Sequence, residues 1–79
     1  MVIKVLGEGC DRCSQLYENT IAAVEQLGLQ AEVEKVEELM EIVKLGVMTA
    51  PSLLVDGRLV VSGQVASVKT IVQLLKKSL

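Results

Sequence analysis

The apolar run near the start of the chain constrains the fold more than any other feature of the sequence. Residues 2–6 read Val-Ile-Lys-Val-Leu, a nearly continuous apolar stretch with no alternation between apolar and polar positions. Such a run is typical of a strand that is covered on both faces. Because helices are the usual cover on the two faces of a sheet of this kind, the run favours an α/β architecture.

A helical pattern follows this strand. Gly7 and Gly9 interrupt the apolar run, and a helix is predicted to open around Cys10, because apolar residues then recur at steps of three and four positions. Gly28 is expected to end the helix in the left-handed conformation. Strands joined through a helix are normally parallel with a right-handed crossover, so the next strand should lie parallel to the first.

The middle of the chain predicts a second strand, a second helix and a hairpin. Residues 30–35 alternate between apolar and acidic side chains, which indicates a strand nearer the edge of the sheet. Residues 37–45 predict a helix that is closed by Gly46. An Asp56-Gly57 pair between two aliphatic runs is a strong signal for a tight turn between antiparallel strands.

The last part of the chain predicts a helix over about residues 67–77, with Ser67 as its N-cap. The predicted order is therefore β-α-β-α-β-β-α. It forms a mixed four-stranded sheet with helices on both faces, in a single domain of residues 1–79. Because so short a chain buries only about 60% of the surface of its unfolded form, nearly all of its hydrophobic residues are needed in the core. They make up 51% of the sequence.

Composition argues against nucleic acid or membrane as partners. The net charge is −2, the basic residues are not clustered into a face, and Tyr17 is the single aromatic residue. No run approaches the roughly 20 apolar residues of a membrane span. Met1 leads directly into a strand pattern and not into a signal peptide, so we expect a cytoplasmic protein. We also expect a monomer.

The two cysteines, Cys10 and Cys13, are three positions apart at the start of the first predicted helix. There the unpaired N–H groups and the positive end of the helix dipole favour a thiolate, which is the nucleophilic form. Cys10 is the predicted nucleophile, and Cys13 is predicted to be the more buried, resolving cysteine. Between them, Arg12 should assist thiolate formation and Asp11 should oppose it.

Other chemistry remains open for the same pair. The two cysteines could be inert core thiols, and a structural zinc site would need two further ligands in a chain without histidine. A soft-metal carrier for Cu(I) or Zn is a stronger alternative, although heavy-metal-associated domains usually end on a strand. A third alternative is a redox-sensing interaction domain whose disulfide switches partner binding. Under the redox interpretation we expect no metal and no cofactor beyond the two thiols.

Taken together, these motifs resemble the thioredoxin superfamily, and more closely its small redox-active disulfide proteins of archaea and bacteria. The resemblance covers essentially the whole chain. It rests on Gly-x-Gly-Cys-x-x-Cys at 7–13, Thr49-Ala50-Pro51 at the start of a strand, Val55-Asp56-Gly57 in the hairpin, and Gly63 leading into residues 65–67.

The resemblance implies a thiol–disulfide oxidoreductase that reduces protein disulfides. It also implies a cis peptide bond between Ala50 and Pro51 facing the cysteines, with Gly63 near the same substrate groove. An ordinary trans proline at a strand start and a plain turn glycine are the alternatives at these two positions. A reductant is implied as a second partner, either a thioredoxin reductase-like protein or a low-molecular-weight thiol.

The chain also departs from the pattern of larger thioredoxins. Gly9 replaces a tryptophan, and Asp11 and Arg12 replace the middle Gly-Pro pair. Lys4 stands where those proteins carry a buried acid that relays protons. Lys4 would favour thiolate formation without serving as that relay, or it simply reaches solvent at the end of the sheet.

Overall fold

The structure is a computed structural model, and it describes residues 1–7, 11–47 and 49–78. Its elements occur in the predicted order of a thioredoxin-like α/β fold. They are β1 (Val2–Leu6), α1 (Asp11–Leu27), β2 (Glu32–Val36), α2 (Leu39–Lys44), β3 (Ser52–Val55), β4 (Arg58–Ser62) and α3 (Val68–Lys77). Within the described ranges, no helix combines the length and apolar character that crossing a membrane requires.

The four strands form one mixed sheet in the order β2-β1-β3-β4. β1 is parallel to β2, with Ile3 opposite Val33, as the connecting helix predicts. β1 is antiparallel to β3, with Val5 opposite Leu53, and β3 is antiparallel to β4. β2 lies at the edge of the sheet, which confirms the prediction from its alternating pattern.

The larger part of the core lies between the sheet and the helices α1 and α3. Its buried residues come from every other position of the strands, such as Ile3 and Val5, and from one face of each helix, such as Leu16 and Ile71. Successive side chains of a strand point to opposite faces. Leu6 therefore packs on the other side of the sheet, in a smaller cluster of Leu6, Ile42, Val47 and Leu54 beneath α2.

The second helix is shorter than the sequence predicts. The pattern indicated residues 37–45, whereas α2 spans six residues and begins after Glu38, whose side chain makes no capping hydrogen bond. Only Ile42 of this helix is buried. The other apolar residues of α2 remain exposed, so the helix covers little of its face of the sheet.

The final helix confirms the prediction for the end of the chain. Ser67 is its N-cap, and the Ser67 side chain accepts a hydrogen bond from the backbone N–H of Thr70. Ile71, Val72 and Leu75 are the buried residues of α3. Asn19 links α1 to the segment before α3, since its side-chain amide donates to the carbonyl of Ala66 at 3.0 Å.

The turn between β3 and β4 also holds the beginning of β1. Asp56 and Gly57 both have positive φ values, 49° and 83°, as a two-residue type I′ turn requires. The backbone N–H of Asp56 donates to the carbonyl of Val2 at 2.8 Å. In return, the N–H of Val2 donates to Oδ1 of Asp56 at 2.8 Å. The Asp56 side chain therefore extends the pairing of β1 with β3 by one hydrogen bond.

We predict that Asp56→Ala destabilises the protein by about 1–3 kcal/mol. The variant loses the hydrogen bond to Val2. Alanine also tolerates positive φ less well than aspartate, because it has no polar side-chain group that can hydrogen-bond locally. Asp56→Asn is the control, because asparagine keeps the Oδ1 acceptor and tolerates this conformation. Urea unfolding followed by circular dichroism measures both. Equal losses in the two variants would contradict a role for the Val2 hydrogen bond.

Candidate active site

Cys13 lies in the first turn of α1 and is 1% exposed. Asp11 and Arg12, which precede it on the same turn, are both exposed. Cys10, the predicted nucleophile, lies outside the described residues, as do Glu8 and Gly9. The buried position of Cys13 follows from the apolar stripe of α1, which continues one turn later with Leu16.

Gly7 allows the sulfur of Cys13 to approach the end of β1. A β-carbon at position 7 would overlap Sγ of Cys13 and would lie 2.9 Å from its Cβ. The same position is 3.9 Å from Cβ of Ala50. The backbone N–H of Gly7 donates to the carbonyl of Val36 at 3.0 Å, which fixes this glycine at the end of the parallel strand pair. Cys13 and Ala50 therefore both lie next to Gly7.

Pro51 and Gly63 also lie together in this region. The peptide bond between Ala50 and Pro51 is cis, and Pro51 is buried whereas Ala50 is exposed. The backbone N–H of Gly63 donates to the carbonyl of Pro51 at 2.9 Å. Gly63 has a φ of 71°, and a β-carbon there would lie 3.5 Å from Cβ of Thr49. The left-handed backbone at position 63 thus favours glycine, whereas the space beside Thr49 would admit a β-carbon.

Three hydroxyl groups hold the segment around Pro51, and the sequence analysis missed them. Oγ of Ser52, whose side chain is fully buried, donates to the carbonyl of Thr49 at 2.7 Å. Oγ1 of Thr49 is in turn 2.7 Å from Oγ of Ser62 on β4. The available signal was the Thr-x-x-Ser spacing across Pro51, which places one hydroxyl on each side of the proline.

The side chain of Lys4 points to the face of the sheet that α2 covers. It lies between Ile3 and Val5, which face α1 and α3, and it shares the face of Leu6. Its neighbours in the sheet are Glu34 on β2 and Leu54 on β3. Lys4 is half-buried, and Cys13 belongs to the helix on the opposite face.

Lys35 of β2 is a basic residue that contacts the first turns of α1. Its Nζ donates to Oγ of Ser14, the neighbour of Cys13, at 3.2 Å. Nζ also lies 3.2 Å from a carboxylate oxygen of Glu37 and 5.7 Å from the centre of the Tyr17 ring. The sequence analysis missed this residue, although Lys35 interrupts the acidic residues of its strand. Among the described residues, no three His, Cys, Asp or Glu side chains group as a metal site.

Comparison with known proteins identifies the family. Residues 1–76 match the family model described as a thioredoxin domain. The chain is 41% identical over 75 residues to a thioredoxin of Methanothermobacter thermautotrophicus, and the alignment covers 95% of this chain and 97% of that protein. This chain belongs to the thioredoxin family. A thioredoxin of Methanocaldococcus jannaschii is 40% identical over 79 residues, which are 100% of this chain and 91% of that relative. Membership of the family indicates a thioredoxin-like redox function.

We predict that Gly7→Ala destabilises the reduced protein by about 1–3 kcal/mol, because the added methyl group overlaps the Cys13 sulfur. Combining it with Cys13→Ala removes that sulfur and should recover part of the loss. Urea unfolding of the single and double variants in the presence of a reductant measures the coupling.

Gly28→Ala is the matched control for this cycle. Gly28 has a φ of 64° and no atom within 4 Å of its β-carbon position. Its substitution should cost about 1–2 kcal/mol through backbone strain alone, without coupling to Cys13. If Gly7→Ala showed no more coupling to Cys13→Ala than Gly28→Ala does, the contact between Gly7 and Cys13 would not govern stability.

Proposed function

We propose that the chain is a thiol–disulfide oxidoreductase that reduces protein disulfides with Cys10 and Cys13. The observation that carries this proposal is the position of the Cys13 sulfur against Gly7, with Ala50 beside them, in a member of the thioredoxin family. The pair needs no other cofactor, because both electrons come from its own thiols.

Cys10 is proposed as the attacking thiolate. It directly precedes the first residue of α1 in the sequence, and the first N–H groups of a helix have no partner within the helix. The exposed Arg12 favours a thiolate there and Asp11 opposes it. Cys13 is proposed as the resolving cysteine, because a sulfur that is 1% exposed is poorly placed to meet a protein substrate first.

The proposed reaction has two exchange steps. The Cys10 thiolate attacks one sulfur of the substrate disulfide, forms a mixed disulfide and releases the other substrate sulfur as a thiolate, which takes up a proton. The Cys13 thiolate then attacks the Cys10 sulfur and releases the second substrate thiolate, which is also protonated. The substrate gains two electrons, and the protein is left with a Cys10–Cys13 disulfide.

Ala50, Pro51 and Gly63 are proposed to form the substrate groove. Ala50 is exposed next to the buried Pro51, so its backbone is available to an extended substrate. The carbonyl of Pro51 is already occupied by the N–H of Gly63. This hydrogen bond and the hydroxyl groups of Thr49, Ser52 and Ser62 hold the groove in a fixed shape before the substrate arrives.

A reductant must return the disulfide to the dithiol after each cycle. A thioredoxin reductase-like protein or a low-molecular-weight thiol is proposed for this role, and the cytoplasm as the compartment, since such reductants are maintained there. The soft-metal carrier is not favoured, because the elements occur in the order β-α-β-α-β-β-α, whereas heavy-metal-associated domains usually have the order β-α-β-β-α-β.

We predict that Cys13→Ser traps a mixed disulfide with an oxidised model substrate, because attack by Cys10 is retained and resolution is lost. Cys10→Ser should neither attack nor trap. The wild-type protein should reduce the substrate without an accumulated adduct. A non-reducing gel run after each variant is mixed with oxidised substrate, with a reduced lane as control, separates these results. Trapping by Cys10→Ser and not by Cys13→Ser would reverse the two roles.

A further inference from the structure

All six large hydrophobic residues that are exposed in the described part of the chain lie on one side of the molecule. Leu39, Met40 and Val43 of α2 are 58%, 64% and 59% exposed, and Leu45 ends the same helix. The two others are strand residues. Val2 shares the face of Leu6, and Leu59 is paired with Leu54, so both point to the side of α2.

This clustering follows from the unequal lengths of the helices. α1 and α3, with 17 and 10 residues, pack side by side over one face of the sheet. The other face has only the six residues of α2, which amount to a rod about 9 Å long. Four strands at about 4.8 Å spacing make a wider surface than this rod can cover. A contiguous apolar patch of this kind typically marks an interaction site.

The patch continues to the proposed substrate groove. A cavity of about 560 Å³ runs along α2, where it is lined by Leu39, Ile42 and Val43, and reaches Thr49 and Ala50. Ala50 is the residue next to Pro51 and close to Cys13. A partner that lies along α2 would therefore extend to Ala50 and the region of Cys13.

Acidic side chains lie beside this apolar surface, on β2, at the start of α2 and on α2 itself. Glu37, Glu38 and Glu41 are exposed at the start of α2 and on it. Glu32 and Glu34 of β2 are exposed too, on the face of the sheet that α2 covers. Lys4 of β1 and Lys44 of α2 are basic residues on this side. Of these acids only Glu37 forms an ion pair within the described ranges, with Lys35.

The negative charge of these glutamates, which we call the acidic rim, determines which kind of partner can bind to the patch. A second copy of the chain packed symmetrically on the patch would bring two acidic rims together, and like charges across an interface oppose association. A partner with an apolar centre surrounded by lysine or arginine would pack against the apolar patch and pair its positive charges with the acidic rim. Attraction between opposite charges would also speed the encounter at low ionic strength.

We propose that the α2 face, formed by Leu39, Met40, Val43 and Leu45 and rimmed by Glu38 and Glu41, docks an apolar, basic-flanked segment of the protein whose disulfide is reduced. This inference rests on the proposed function, since it assigns the substrate preference of the same thiols. Docking on α2 holds the substrate disulfide next to Ala50 and raises its local concentration at the cysteines.

Matched peptide disulfides test this preference. Each peptide contains one cysteine, which forms a mixed disulfide with 2-mercaptoethanol and has the sequence Leu-Leu-Val on both sides. Lysines follow this apolar segment at both ends in one peptide, and glutamates do so in the other. The reduced protein should react with the lysine peptide at least about 10-fold faster at low salt. The ratio should shrink as salt screens the rim. Hydroxyethyl disulfide, which is small and uncharged, is the reference substrate.

Variants of the α2 face distinguish the docking of a peptide from the thiol–disulfide exchange reaction itself. Leu39→Gln with Val43→Gln should slow both peptides about 10-fold, through loss of apolar contact, and leave the reaction with hydroxyethyl disulfide unchanged. Glu38→Gln with Glu41→Gln should bring the two peptide rates close together. The matched control is Glu18→Gln with Glu25→Gln, which removes the same charge from exposed positions of α1 and should keep the peptide ratio.

Each remaining outcome has a definite meaning. Equal rates for both peptides, with normal reaction of hydroxyethyl disulfide, would overturn the docking proposal and leave the proposed function standing. No reaction with any of the three disulfides would overturn both. Sedimentation of the wild-type protein as a dimer that Leu39→Gln with Val43→Gln dissociates would identify a second copy as the occupant and also overturn the docking of a basic partner.

Discussion

The pairing of β1 with strands on both sides supports the rest of the molecule. β1 is hydrogen-bonded to β2 and to β3, and it carries core residues on both of its faces. Gly7, at its end, is held by the hydrogen bond to Val36. The position of this glycine determines where the Cys13 sulfur can lie and where Ala50 approaches it. The geometry around the resolving cysteine therefore depends on the central strand as much as on the helix that bears it.

The sequence predicted the features that depend on local pattern. The apolar run of β1, the Asp56-Gly57 turn and the spacing of α3 each involve short stretches of chain, so periodicity and turn chemistry were sufficient to predict them. The edge position of β2 also followed from its alternating residues. The prediction for α2 was too long because the backbone of Glu38 is extended, with φ −78° and ψ 121°, and an amphipathic pattern alone does not set a helix boundary.

The features that the sequence did not predict arise from contacts between distant segments. Lys35 is 21 residues from Ser14 and contacts it only because β2 lies beside β1 under α1. The hydroxyl of Thr49 reaches Ser62 through the pairing of β3 with β4. Lys4 was considered as a cation behind the cysteine pair, and the pleat of β1 directs it to the side of α2. Such placements depend on strand register, which composition and spacing do not specify.

The pairing of Ile3 with Val55 has a consequence for how the chain acquires its structure. β1, one of the two inner strands of the sheet, is the first in the sequence, and the residues of its antiparallel partner β3 are 46 to 52 positions away. The β1-α1-β2 unit can associate early, since its contacts are closer in sequence, but one side of β1 stays unpaired until β3 arrives. Closing so long a loop costs entropy before any contact compensates for it. The exposed edge of β1 is therefore the part of the nascent sheet most open to pairing with another chain.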